Sequence, residues 1–198
     1  MFMYHFTQQD FAVFQIEGLD NRMTALKKTT RPKLEHLGEY FSDFLTAHTD
    51  DTYYAHVAKH LRRTTNPPHD TWVAFSTNKR GYKMLPHFQI GLFGSHVFVL
   101  YGVIYESPEK ARVADTLSKK KETILAFDDF IMKRDHMKEA SETIESDRLE
   151  ENIQRLKNIK KGELLFGKIY FPEHPALKSD ESFIKEVEDT FMKLIELQ

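Results

Sequence analysis

The sequence predicts an α+β fold built on a mainly antiparallel sheet. Three observations carry that expectation. Helical periodicities come first, alternating strand patterns cluster in the middle, and strand and helix do not take the regular turns of a doubly wound parallel sheet. The expected sheet holds a central hairpin at about 86–105 and strands near 71–76 and 163–171, packed with N-terminal and C-terminal helices. Residues 1–198 are expected to form a single domain, and a chain of that length buries roughly 70% of its unfolded surface without covalent staples.

Each element has a local reason. Thr7 followed by Asp10 marks a helix start, and the short helix after it carries Phe11 and Phe14. A second helix, from about Asp20 to Lys28, carries Met23 and Leu26. Pro32 fits the first turn of a third, in which Leu34, Leu37, Phe41, Phe44 and Leu45 recur at spacings of three and four. A fourth helix is expected from about Thr52 to Arg63, ended by Asn66-Pro67-Pro68, since proline cannot continue the hydrogen-bond ladder. TWVAFS alternates as a strand, and STNKRGYK reads as a turn in which Gly81 can take positive φ. HFQIGLF and HVFVLYGVIY form a hairpin around Gly94-Ser95, where glycine first suits a two-residue type II′ turn. A helix follows from Ser107-Pro108-Glu109 to about Phe127, then a short strand at FIMKR. Leu149, Ile153, Leu156 and Ile159 give the next helix one buried face. ELLFGKIYF is a strand, and Phe183, Val187, Phe191, Leu194 and Ile195 mark the closing helix at 180–197.

Composition narrows the classes of function. The chain has no cysteine, which excludes disulfides, thiolate nucleophiles and cysteine metal sites and fits a reducing compartment. The opening MFMYHFTQQDF lacks the basic start and apolar run of a signal peptide, so the protein is expected to be cytoplasmic. Residues 88–105 run 18 residues without an acid, lysine or arginine, near the length of a membrane helix. Gly91, Gly94-Ser95 and Gly102 together with the valines make them strands instead, so no membrane partner is expected.

Charge is uneven. Residues 56–87 hold Lys59, Arg62, Arg63, Lys79, Arg80 and Lys83 against Asp70 alone, inside a chain of net charge −2. A basic island on a mildly acidic protein favours a local anionic ligand over a broad nucleic-acid surface. Arg62 and Arg63, at the expected end of the fourth helix, either complement its dipole or grip a carboxylate or phosphate. The NKRGYK turn is either a solvated tip or an anion clamp. His56 and His60 stand four apart, the helical metal-pair spacing, but Val57 occupies the place of a metalloprotease's glutamate; a third ligand would have to come from His69, His87 or Asp135-His136. The alternative is a stripe of half-buried histidines bonded to neighbours.

The hairpin supports a sharper inference. With Gly94-Ser95 as its loop, Gly91 faces Phe98, Gln89 faces Leu100 and His87 faces Gly102. One sheet face is then Phe88, Ile90, Leu92, Val97, Val99 and Tyr101, plainly core. The other holds His87, Gln89, Gly91, Phe98, Leu100 and Gly102, where the glycines admit either a ligand or a packed helix, with Gly91 making room for Phe98.

The block HVAKHLRRTTNPPHDTWVAFSTNKRGYKMLPHFQIGLF, with GLDNRM, RPKLEHLG and IYESPEKA, resembles the YktB-like family of uncharacterised cytosolic proteins from low-GC Gram-positive bacteria. The resemblance covers nearly the whole chain and implies an α+β single-domain fold. It implies no activity, cofactor or catalytic residue.

Two functions fit the residues. The first is a pocket for an anionic small molecule, with or without catalysis. Arg63, Arg80 and Lys83 supply charge, His87 and Gln89 line the floor, His69 and Asp70 exchange protons, and Trp72 or Tyr82 stacks on a ring. The second is a non-catalytic module meeting single-stranded nucleic acid or an acidic protein through the same cations and aromatics. No phosphate loop, dinucleotide fingerprint or calcium loop occurs, so no cofactor is called for. Oligomeric state leaves no mark in the sequence.

Overall fold

A computed structural model describes residues 3–198. Its N-terminal half runs α1 (Gln8–Ala12), α2 (Leu19–Thr29), α3 (Arg31–His48), β1 (Tyr54–Val57), β2 (Asp70–Ser76), β3 (His87–Phe93) and β4 (Val97–Val103). The second half runs α4 (Lys110–Lys119), α5 (Lys121–Leu125), β5 (Ile131–Lys133), β6 (Glu142–Thr143), α6 (Ser146–Asn158), β7 (Leu164–Tyr170) and α7 (Asp180–Ile195). The strands form one sheet in the order β1-β2-β3-β4-β7-β5-β6, every pair antiparallel. The fold is α+β, as the sequence predicts.

One face of the sheet carries the main core. Val73, Phe75, Phe88, Ile90, Leu92, Val99, Tyr101 and Phe166 meet Leu34, Leu37 and Phe41 of α3 and Phe183, Val187 and Phe191 of α7, all buried. Inside this layer Asp10 is a buried hub. Its carboxylate accepts the Thr7 N–H and the Thr30 hydroxyl, and it pairs with Lys33 Nζ at 2.6 Å. The acid expected near the positive dipole end of α1 thus also ties α1 to the α2–α3 junction. The opposite face has a smaller cluster of Phe93, Phe98, Leu100, Ile104 and Leu165, with no helix residue in it.

The hairpin pairs as expected: His87 with Gly102, Gln89 with Leu100, Gly91 with Phe98. Its turn differs. Gly94 does not take positive φ, so the turn is not type II′; the glycine is there because Phe14 Cβ lies 3.1 Å from where its own Cβ would stand. Gly81 also keeps a negative φ. The slots beside Gly91 and Gly102 are closed: Gly91 makes room for Phe98, as the packed alternative expects, but no helix residue lies in that cluster. A Cβ on Gly91 would meet the Phe98 ring at 2.5 Å and Trp72 Cβ at 2.6 Å, and one on Gly102 would strike the Leu164 carbonyl at 2.2 Å.

The expected fourth helix does not form. Residues 54–57 are an edge strand paired with β2, and residues after it turn irregularly, with His60 at φ 53°. Gly38, in the middle of α3, gives the physical reason. Ala55 Cβ lies only 3.0 Å from where a Cβ on that glycine would stand, so its absence lets a strand fit against the helix there. Leu61, which a helix would have buried, is 84% exposed. Without the helix, His56 and His60 lose the helical metal-pair spacing and Arg62 and Arg63 answer no dipole. Two smaller departures follow from chain breaks. The helix expected to reach Phe127 divides at Lys120, and Ile159 lies past the end of α6 and is exposed. Residues 88–105 are the β3–β4 hairpin and its exit, and no helix among the described residues is long and apolar enough to cross a membrane.

Candidate functional site

Strand alternation aims one set of polar residues at the helix-free face: His56 of β1, Asp70 and Trp72 of β2, His87 and Gln89 of β3, and Lys133 of β5. Two loops fold onto that face, one at 77–86 and one at 134–141.

The first loop is held by short local bonds. Asn78 Oδ1 accepts the Arg80 N–H at 2.9 Å, His56 Nε2 donates to the Asn78 carbonyl at 3.0 Å, and Ser107 Oγ donates to the Met84 carbonyl at 2.9 Å. These bonds seat Tyr82 over the sheet. Its hydroxyl accepts the Trp72 indole N–H at 3.2 Å, and its ring meets His87 edge-on at 4.8 Å. Below it, His87 Nδ1 donates to the Leu85 carbonyl and Gln89 Nε2 donates to His87 Nε2, both at 2.8 Å. Burial pulls the His87 imidazole down to about 4, so it is neutral at pH 7.

Outside Tyr82 lies a cleft of about 720 Å³, lined by His56, Lys59, Arg62, Arg80, Tyr82 and Lys83 among others. Lys83 pairs with Glu106 at 2.7 Å. Lys59, Arg62 and Arg80 form no ion pair among the described residues. His56 is held below its ordinary pKa by burial, so the cleft's charge comes from its lysines and arginines.

The expected site residues therefore divide. Arg80, Tyr82 and Lys83 line the cleft, Trp72 supports Tyr82, and His87 and Gln89 are sealed beneath it. Lys59 and Arg62 join the lining beyond the residues expected there; their signal in the sequence is their place in the same basic island. Arg63, His69 and Asp70 do not line the cleft. Arg63 donates to the Asn66 and Pro67 carbonyls at 3.4 Å and shapes the loop before β2; His69 is exposed. His60 pairs with Thr71 Oγ1 at 3.2 Å and is pulled down to about 4, first by burial and then by Arg63 and Arg31.

Asp70 faces a different group. It is 2% exposed, its Oδ1 has no hydrogen-bond partner, and burial pushes it up to about 6 against the pull of His136, Arg63, His69 and Lys133. Lys133 is wholly buried, its Nζ 4.9 Å from the Phe93 ring centroid and bonded to the Lys138 carbonyl at 2.6 Å. Beside them, Asp135, His136 and Glu163 bring three ligand-type atoms within 4.8 Å of one another. Lys133 and Glu163 carry no local sequence signal, because β5–β7 pairing brings them here.

Comparison with known proteins agrees with this architecture in extent. Residues 6–198 match the family described as a domain of unknown function, DUF1054. The chain is 65% identical over 201 residues to a UPF0637 protein of Macrococcus caseolyticus (strain JCSC5402), covering 100% of this chain and 99% of that one. It is 50% identical over 195 residues to a UPF0637 protein of Staphylococcus aureus (strain Newman), covering 96% of each. Both relatives come from low-GC Gram-positive bacteria, where the resemblance of the central block also points. The chain belongs to the DUF1054, or UPF0637, family.

Proposed function

We propose that the cleft between β1 and the 77–86 loop binds a small anionic molecule bearing a phosphate or carboxylate. The observation that carries this reading is the presence of Lys59, Arg62 and Arg80, all without an acidic partner among the described residues, around one concave surface in a chain of net charge −2. Guanidinium groups suit such anions because their forked N–H groups match two oxygens at once. Tyr82 offers a ring against which a flat ligand could rest. The cleft supplies recognition more than reaction: His56 has Nε2 engaged with Asn78, and both ring nitrogens of His87 are committed beneath Tyr82.

The test is thermal unfolding with inorganic phosphate, phosphorylated sugars, nucleotides, dicarboxylates and short single-stranded oligonucleotides. A ligand at 100 times its Kd adds about 2.7 kcal/mol, or a shift of about 5–11 °C for a chain this long. Arg80→Ala and Arg62→Ala, both at exposed positions, should remove the shift and leave the unliganded melting temperature unchanged. A flat panel overturns the reading. So does a shift confined to oligonucleotides and weakened by salt, which would assign the cations to an interaction module instead.

A further inference from the structure

The 134–141 loop raises a question that the anion cleft does not answer. β5 and β7 are antiparallel, with Lys133 opposite Leu165, so the same register carried past the strand ends sets Asp135 opposite Glu163. His136 then folds back over the pair. Glu163 is buried and firmly oriented: Oε1 accepts the Tyr105 N–H at 3.3 Å, and Oε2 accepts the His136 backbone N–H at 2.9 Å and its ring Nδ1–H at 2.8 Å. Asp135 Oδ1 is fixed by the Met137 N–H at 3.0 Å. One imidazole and two carboxylates thus converge with atoms no more than 4.8 Å apart.

A tether holding the loop to β7 accounts for the Glu163–His136 pair. It does not account for Asp135, whose carboxylate converges on the same pair. Nearby, the Asp70 carboxylate is buried and its Oδ1 has no hydrogen-bond partner. Lys138 reaches Asp135 only at 3.7 Å and from an exposed position, where water screens it. A divalent ion would give Asp135 and the Glu163–His136 pair one common partner.

We propose that Asp135, His136 and Glu163 bind one divalent transition-metal ion, which takes the place of the proton between His136 Nδ1 and Glu163 Oε2 and releases it to solvent. Ligand atoms about 2.1 Å from an ion lie about 3.0–3.4 Å apart in octahedral or tetrahedral geometry, so the group needs to close by about 1.5 Å, which the partly exposed 134–141 loop can supply. A set of one imidazole and two carboxylates suits Mn²⁺ or Zn²⁺ better than Mg²⁺, and it leaves coordination positions open to water or to a ligand oxygen. The hydrogen bonds from Tyr105 and Met137 are the outer supports that hold the carboxylates in place.

The test is calorimetric titration of chelator-stripped, full-length protein with MnCl₂, ZnCl₂ and MgCl₂. The expected result is one saturable site for Mn²⁺ or Zn²⁺, with MgCl₂ weaker. Asp135→Asn is the decisive variant. Its amide oxygen can still accept the Met137 N–H, so the metal-free melting temperature should hold while affinity falls about 10-fold or more. His136→Gln should do the same to affinity, and Arg80→Ala, in the separate anion cleft, should not. Absence of saturable binding at millimolar metal, or binding unaltered by both Asp135→Asn and His136→Gln, overturns the proposal.

Discussion

On the helix-covered face of the sheet, Phe41, Phe75, Phe88 and Phe191 meet ring to ring, with Phe41–Phe191 centroids 5.3 Å apart and Phe88–Phe191 4.9 Å. On the opposite face, equally buried positions hold Asp70, His87, Gln89 and Lys133. The same strands contribute to both faces, so the difference lies in what covers them. Helices bring apolar stripes that need no partner. Loops bring backbone carbonyls and single aromatic rings, and the polar groups beneath must be satisfied one at a time. The first face should therefore lose stability on any truncation, whereas the second should contain groups whose removal helps.

The largest expected effect lies on the first face. Phe41→Ala removes a wholly buried ring in contact with α7 and the sheet and should cost about 3–5 kcal/mol, read from the urea midpoint at unchanged slope. A cost under about 1 kcal/mol would mean the aromatic layer repacks, and the contrast between faces would fail.

The second face should respond to pH, with two opposite signs. His87 takes up a proton near 6.5 when unfolded but only near 4 when folded, so its contribution is complete above about pH 6.5 and is lost as pH falls towards 4. The loss is roughly 2–3 kcal/mol for a fully buried group. His87→Asn, whose amide can still donate to the Leu85 carbonyl, should flatten that acid limb. Asp70 behaves inversely. Its folded pKa is raised from 3.8 to about 6, so it costs stability above about pH 6 and nothing below about pH 4. In metal-free protein Asp70→Asn should stabilise by roughly 1–3 kcal/mol at pH 7.5, with the gain vanishing near pH 4. A destabilising Asp70→Asn would show that the carboxylate has a partner in solution.

The two faces also differ in how far the sequence reveals them. The core face follows from alternation around Gly94-Ser95 and from the three-and-four spacing of Leu34, Leu37 and Phe41, both local signals. The basic cleft is partly legible because Arg80, Tyr82 and Lys83 are neighbours in sequence. β1 reads wrongly as a helix because Tyr53, Tyr54, Val57, Ala58 and Leu61 suit a helical arc as well as a four-residue strand, and only the approach to Gly38 decides between them. The group at Asp70, Lys133, His136 and Glu163 lies beyond local reading. Glu163 meets His136 through β5–β7 register and a loop folded across the sheet, Asp70 comes from β2, and none of this is encoded in the spacing of the residues themselves.

The smallest effect tests how the first loop is seated. Tyr82→Phe keeps the ring over His87 and deletes only the acceptor for the Trp72 N–H, a neutral bond at 3.2 Å beside a half-buried indole that water can reach. The cost should be about 0.5–1 kcal/mol, or a fall of about 1–4 °C in melting temperature. Amide exchange separates two mechanisms. If ring packing seats the loop, protection at Gly81 and Leu85, whose N–H groups bond to the Asn78 and Tyr82 carbonyls, should be nearly unchanged. If the Trp72 bond is the latch, protection at both should fall together and the His87–Gln89 pair should exchange with solvent. In that event the second face is held shut by one hydrogen bond, and the basic cleft and the polar floor beneath it are two depths of a single site.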